Sequence, residues 1–399
     1  MQNLKAAGAN EAFLKVLRTA KPPEPASAKK PLNQVQVFAL LAGGVPSHRV
    51  AMLVNERGID FEPQQDYLDE VRLGGGDDEL IAVLKSANVT KPATVDPAAQ
   101  ARQAEVRQHV ARGAEFFQKR QDAQAEQEYR AALKLDPQNA DLFVALGSAL
   151  LNQALLDQKK NDDAESAARE ALRLNPNNVG AHRVLGGALG NKGDWYGQIA
   201  EYREALRLDP DSNRELHIGL GLALEKKRDW DGAIAEYREA LRWYPKKEFV
   251  HFQLGLVLGQ NSDWDGAIAE YREALRLNPN DEQAHVNLGL ALAMTQNWDG
   301  AIAEYREALR LNPNDEQAHA KLGLALGGKG DWDGAIAEYR EALRLNPNDA
   351  LAHSGLGIAL EGKGDRRGAL EEWRAAYMLD PTNATCKQNY ERLLQQVNR

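Results

Sequence analysis

Seven of the eight histidines, His109, His182, His217, His251, His285, His319 and His353, hold one register, the last five of them 34 residues apart. Imidazole is the commonest protein ligand for transition metals, so a histidine row raises metal chemistry first. A metal ion needs its donors at about 2.0–2.1 Å, whereas residues one helix pair apart lie about 10 Å from one another. The row is therefore expected to pack rather than to ligate, and neither a metal nor another cofactor is assigned. Trp195, Trp230, Trp264, Trp298 and Trp332 recur in the same way. An aromatic ligand cage is the functional reading for them, and a staple between a turn and the neighbouring unit is the favoured one. Glu304, Arg306, Glu307 and Arg310, repeated at Glu338, Arg340, Glu341 and Arg344, are spaced for i,i+3 and i,i+4 charge pairs on a water-facing helix. No Gly-rich phosphate loop behind a strand, nucleophile elbow or metal-ligand cluster is present. The one cysteine, Cys386, excludes an internal disulfide framework. The chain is not expected to be an enzyme.

What must position these rows is a repeat. The stretch DWDGAIAEYREALRLNPND at 331–349 has close copies upstream, each closed by a proline, at Pro137, Pro176, Pro210, Pro245, Pro279, Pro313, Pro347 and Pro381. Neighbouring prolines differ by 39, 34, 35, 34, 34, 34 and 34, so a 34-residue unit is used eight times over 106–383. Five residues are inserted near 157–163, where they are expected to lengthen a turn between helices, and one at 213. A period of this size means stacked units and not one closed core. In the unit 282–315, Ala284, Leu288, Ala291 and Leu292 line one helical stripe, and Ala301, Ile302, Tyr305, Ala308 and Leu309 line another. Two amphipathic helices thus face each other, with Asp299 placed to cap the second. Gly289 sits inside the first helix, with counterparts at Gly113, Gly147, Gly186, Gly221, Gly255, Gly323 and Gly357, although a helical glycine costs about 1 kcal/mol relative to alanine. Close approach of the paired helix, with small Ala301 and Ala308 opposite, is the expected reason.

Leu288-Gly289, Ala301, Tyr305, Ala308 and Pro313 resemble the signature positions of the tetratricopeptide repeat family, and Gly255 with Tyr271 and Pro279, then Gly323 with Tyr339 and Pro347, repeat them. The resemblance spans 106–383. His285 stands where the family usually has Trp and Leu292 where it has Tyr, while Arg112, Ala168 and Gln198 are departures in the first three units. The resemblance implies an all-α fold, a right-handed α-solenoid of antiparallel helix pairs whose first helices line a concave groove that binds protein or peptide. The family's groove-facing positions fall on Ile218, Leu222, Phe249, Phe252, Leu256, Val286, Leu290, Ala320, Leu324, Leu351 and Ile358. An apolar strip of this kind marks a partner surface, and an amphipathic helix or an extended apolar segment is its natural occupant. Two other family modes find no support. A clamp for a terminal carboxylate needs Lys, Arg and Asn where this chain is mostly apolar. An asparagine ladder needs Asn at the sixth position of many units, which here reads Ala111, Ala145, Val184, Gly219, Gln253, Asn287, Lys321 and Gly355.

Ahead of the array, residues 4–20 match residues 71–87 at an offset of 67, sharing Gly8/Gly75, Val16/Val83, Leu17/Leu84 and Ala20/Ala87. Residues 31–90 are read as a small four-helix module, with Ser47 capping its second helix, Gly58 ending that helix and Asp77 starting the fourth. Residues 1–20 are then the helical remnant of a truncated copy, 21–30 a Pro/Ala/Lys-rich linker and 91–105 a linker running into the first array helix, opened by Asp96-Pro97. On this reading the native chain extends upstream of Met1. Residues 384–399 are expected to be a capping helix that covers the last unit with Tyr390, Leu393, Leu394 and Val397 and closes the array.

Lys plus Arg number 49 against 58 Asp plus Glu, a net charge of −9. With 12 basic and 13 acidic residues in 1–105, neither the module nor the array carries the basic field that nucleic-acid binding requires. No apolar run of about 18 residues is present, so membrane insertion is not expected. The compartment is not named by any motif; the cytoplasm is the default, with export open if the chain continues upstream. The leading functional reading is a non-catalytic protein-protein interaction scaffold. The alternative is a regulatory or substrate-recruiting part of an enzyme complex, and self-assembly through the N-terminal module is a third.

Overall fold

The computed structural model describes residues 31–42, 45–89, 97–154, 157–210 and 214–397. The expected remnant and linker at 1–30, Asp96 and the insertion at 213 lie outside the described residues. Among these, helices are joined by turns with no strand longer than a bridge; single parallel bridges tie Leu32 to Ile59 and Ile59 to Val89. Two compact units result. One runs to Gly193 and includes Arg207–Ser212, and the other holds Asp194–Leu206 and continues from Asn213.

In the first unit, four short helices, α1 (Gln34–Ala42), α2 (Ser47–Arg57), α3 (Gln65–Leu73) and α4 (Asp78–Ser86), precede the array helices α5 (Pro97–Gln118), α6 (Asp122–Leu135) and α7 (Ala140–Gln153). Asp77 caps α4 by accepting from the Leu80 amide at 2.9 Å, and Gly58 ends α2 at φ 71°. Ser47 does not cap α2. Pro46 precedes that helix, and the Ser47 hydroxyl instead accepts from the Asp77 amide at 3.0 Å, which ties α2 to the start of α4. The four helices do not stand apart from the array. Helix α1 packs on α5 and α7, and Leu32, Val37 and Phe38 share one core with Val106, Val110, Ala114, Leu142 and Ala145. Two polar ties reinforce the joint: Arg107 Nε lies 3.1 Å from Glu70, and Arg49 Nε lies 3.0 Å from Asp209.

Most of the five-residue insertion lengthens a helix. Gln158–Leu174 has 17 residues where Trp264–Leu277 has 14. Asp157 caps the early start through the Lys159 amide, at 2.9 Å. Asn161, which takes the place of the repeat tryptophan just after the three added helical residues, is fully buried; its Nδ2 donates to the Ala188 carbonyl at 2.9 Å and its Oδ1 accepts from Asn191 at 3.0 Å. A buried amide with both ends satisfied holds the lengthened helix against the next one.

The second unit repeats one pattern: Glu248–Gln260 with Trp264–Leu277, Glu282–Met294 with Trp298–Leu311, Glu316–Lys329 with Trp332–Leu345, and Ala350–Lys363 with Arg366–Leu379. Helix Leu216–Lys226 with Trp230–Trp243 leads them, and Ala384–Val397 follows. The second helix of 282–315 is capped by Asn297, which accepts from the Gly300 amide at 3.1 Å. Asp299 lies two residues too late to cap; it meets Lys329 of the next repeat at 2.5 Å. The turn between paired helices needs one left-handed residue each time: Arg228, Ser262, Gln296, Gly330 and Gly364 all have positive φ. Glycine takes that conformation freely, and the other three adopt it at a cost of about 1 kcal/mol.

The mid-helix glycines make room for an aromatic ring, not for the small residues opposite. A Cβ on Gly255, Gly289 or Gly323 would lie 2.7, 2.7 and 3.1 Å from the rings of Tyr271, Tyr305 and Tyr339. Where the first unit has Ala168 in the ring position, Gly147 faces Val184 instead, at 2.9 Å. The tryptophans staple neighbouring repeats: a Cβ on Gly328 would touch Trp298 at 2.9 Å and one on Gly362 would touch Trp332 at 2.6 Å. In the last helix Cys386 and Leu393 are buried, Tyr390 stacks on Tyr377, and Leu394 stays 36% exposed.

Candidate functional site

Within the second unit, first helices of successive repeats touch one another from Glu248–Gln260 through Ala350–Lys363, so their outward residues form one face. Three of these first helices are fixed at their start by a cap from the preceding turn: Asp281 accepts from the Ala284 amide, Asp315 from the Ala318 amide and Asp349 from the Ala352 amide, each at 3.1 Å. The histidines lock the same joint. Nδ1 of His251, His285, His319 and His353 lies 2.6–2.7 Å from Glu270, Glu304, Glu338 and Glu372 of the partner helix. Their Nε2 lies 3.1–3.2 Å from the carbonyls of Pro245, Pro279, Pro313 and Pro347. Each imidazole thus joins the turn that closes one repeat to both helices of the next, and Glu304 and Glu338 face histidine, not water. Among the described residues no group of three His, Cys, Asp or Glu gathers for a metal. Of the charge pattern read from sequence, the i,i+3 pairs remain on the outer surface, with Arg310 to Glu307 and Arg344 to Glu341 both at 2.7 Å.

The positions singled out in the sequence divide on this face. Phe249, Leu290 and Leu324 are exposed at 43, 37 and 56%, and Leu351 and Ile358 join them. Ile218, Leu222 and Leu256 are half-buried. Phe252 is half-buried because its ring lies 5.9 Å from that of Tyr271. Val286 is buried in the core. Met294, 53% exposed, extends the strip and was not singled out, since it falls four residues beyond Leu290 and at no signature position. Sequence reading also missed a row of acids along the N-terminal edge. Glu248 and Glu282 open their helices, and each carboxyl meets the cap of the following repeat, Asp281 and Asp315 respectively; burial pushes both glutamates up, and the neighbouring aspartate pushes them further. The signal is the Asp-Glu dipeptide repeated at 281–282 and 315–316. Glu282 Oε2 accepts from Gln283 at 3.0 Å, while Oε1 is buried without a hydrogen-bond partner among the described residues.

The first unit offers a different surface. A cleft of about 660 Å³ is lined by Arg130, Phe143, Leu150, Asp163, Glu165 and Arg169. Its charges are already matched, with Arg130 3.1 Å from Asp163 and Arg169 2.8 Å from Glu165. Its first-helix residues are covered by α1, and burial raises the carboxyl of Asp141, to which Asn178 donates at 2.8 Å.

The sequence matches the tetratricopeptide repeat over residues 153–213, 214–247 and 252–316, and the TPR repeat over 113–153 and 328–364. No curated protein matches the chain. Among solved structures, the C-terminal part of a TPR repeat-containing protein from Cytophaga hutchinsonii is similar at 16% identity and a TM-score of 0.51, over 60% of this chain and 98% of that one. MamA is similar at 27% identity and a TM-score of 0.40, over 43% of this chain and 94% of that one. YrrB, described as a TPR protein with an unusual peptide-binding site, is similar at 18% identity and a TM-score of 0.37, over 57% of this chain and 99% of that one. The repeat matches along the sequence make the chain a member of the tetratricopeptide repeat family, and its fold is an all-α solenoid of antiparallel helix pairs.

Proposed function

We propose that the chain is a non-catalytic interaction scaffold that holds a partner polypeptide on the first-helix face of its second unit. Tetratricopeptide repeats are generally interaction scaffolds, and the observation that supports this site is the strip of exposed Phe249, Leu290, Leu324, Leu351 and Ile358 on adjoining helices. Large apolar side chains held in water along one face are what a partner's apolar residues bury. No helix among the described residues is long and apolar enough to cross a membrane, so the strip is not explained as part of a spanning segment. The domain reading carries over as part of this proposal: 31–90 is a module, 106–383 the array and 384–399 its cap. The test is a crosslinking pull-down with partner identification, comparing the wild type with Leu290→Glu/Leu324→Glu. Both positions are exposed, so the variant is expected to keep its melting temperature and to lose specific partners; an unchanged set of captured proteins overturns the site.

A further inference from the structure

The strip is charged asymmetrically. On its N-terminal edge stand Glu248, Asp281, Glu282, Asp315 and Glu316, and among the described residues none of the five is paired with a lysine or arginine. Three cations near the other ends of the first helices are engaged: Lys227 lies 3.6 Å over the Tyr196 ring, Lys329 is 2.5 Å from Asp299, and Lys363 pairs with Asp333. Lys321 lies on the strip itself and is 3.5 Å from Gln317, and Lys246 and Lys247 precede the row. The repeats 214–383 carry 20 Lys/Arg against 28 Asp/Glu, a difference of −8. Capping accounts for Asp281 and Asp315, but Glu248 and Glu282 each set a second carboxylate against the cap of the following repeat, where like charges oppose each other.

We infer that the occupant of this face is a basic amphipathic helix, whose apolar side covers the strip and whose lysines or arginines seat between the carboxylates of Glu248 with Asp281 and of Glu282 with Asp315. This rests on the proposed scaffold function and adds the charge and spacing of the partner. Glu282 opens the helix that carries exposed Leu290 two turns on, with buried Val286 between them, so the acids form the N-terminal edge of the face along which the strip runs. Successive carboxylate pairs stand one first helix apart, about 10 Å. A partner helix rises about 1.5 Å per residue, so its cations match the pairs at i and i+7, with apolar residues between them.

The experiment is fluorescence anisotropy on the full chain with two designed helical probes of 21 residues. They share one apolar face and differ only in carrying Lys or Glu at three edge positions seven apart. The lysine probe is expected to bind at least tenfold more tightly than the glutamate probe. Glu248→Gln/Glu282→Gln is expected to lower that preference about tenfold, since desolvated charge pairs carry more than rim ones. Glu273→Gln/Glu307→Gln, the same charge change on the second helices, is expected to leave it in place. Equal binding of both probes, abolished by Leu290→Glu/Leu324→Glu, overturns the charge inference and leaves the apolar face standing. Equal loss of preference in both glutamine variants reduces it to general acidity and overturns it. Absence of binding by either probe counts against the face as well.

Discussion

The first-helix faces of the two units have the same origin in sequence and opposite fates. At the ninth position of the repeats the first unit has Ala114 and Ser148, exposed by 2 and 9%, whereas the second has half-buried Leu222 and Leu256 followed by Leu290, Leu324 and Ile358, exposed by 37, 56 and 52%. Small residues stand where α1 of the chain's own N-terminal module lies, and large apolar ones stand where nothing described covers them. The repeat scaffold tolerates both because its stability comes from the ring-into-glycine contacts and the caps, which do not use the ninth position. An apolar side chain kept at an exposed repeat position therefore speaks to a partner, and a small one to an occupant already present.

The comparison breaks most directly at Phe38, which is fully buried and lies 5.3 Å from the Tyr67 ring. Phe38→Ala is expected to destabilise the first unit by about 3–5 kcal/mol. Leu324→Ala is expected to change stability by no more than about 0.5 kcal/mol. Guanidinium denaturation with hydrogen exchange read across 97–153 checks this. If that stretch keeps its protection in Phe38→Ala, the module and the array do not share a core.

A smaller effect sharpens the role of the aromatic ring. Gly289→Leu drives a side chain into Tyr305 and is expected to cost about 1–3 kcal/mol, seen as a lowered melting temperature. Gly147→Ala in the first unit crowds Val184 Cγ1, the end of a side chain, and otherwise makes ordinary contacts with Ala164 and Ala167, and is expected to cost under about 1 kcal/mol. Equal losses at the two sites would mean that the ring is not what the glycine accommodates. Smaller again is Arg49→Ala, which removes the 3.0 Å pair to Asp209 and is expected to cost about 1 kcal/mol. The loss should shrink as salt rises in parallel melts, because screening weakens the wild-type pair.

The repeat, its helix pairs and its family were legible because eight copies average out local accidents. Single events were not. Asp299 reads as a cap as well as Asn297 does, and only the helix start at Trp298 decides between them. The polar run at 157–163 reads as a loop, yet Asp157 caps it and buried Asn161 anchors it as helix. The face was partly legible: Phe249, Leu290 and Leu324 followed from register, while the burial of Val286 depends on how far neighbouring first helices approach. The acids at 248, 281, 282 and 315 escaped notice because each is ordinary alone and becomes unusual only when successive repeats bring them together.

The smallest expected effect tests that last point, and it sets the two units against each other. In the first unit burial would raise Glu126, but hydrogen bonds from Lys160, Arg130 and Gln153 outweigh it and hold the carboxyl below its ordinary 4.5. In the second, burial and Asp315 raise Glu282 above the same value. A carboxyl lowered by folding contributes stability above the unfolded value and loses it as pH falls through the folded one. A raised carboxyl opposes folding while ionised, and that opposition fades as pH falls through its folded value toward 4.5. Acidification from neutral pH toward that value should therefore favour the second unit at Glu282 before it weakens the first at Glu126. Glu282→Gln is expected to raise stability at neutral pH by at most about 0.5 kcal/mol, the scale of one like-charge pair near water, and to remove this acid-side gain. Melting curves of wild type and variant between pH 7 and 5 decide it: parallel curves mean that Glu282 and Asp315 do not oppose each other, while converging ones show two carboxylates held together by the fold.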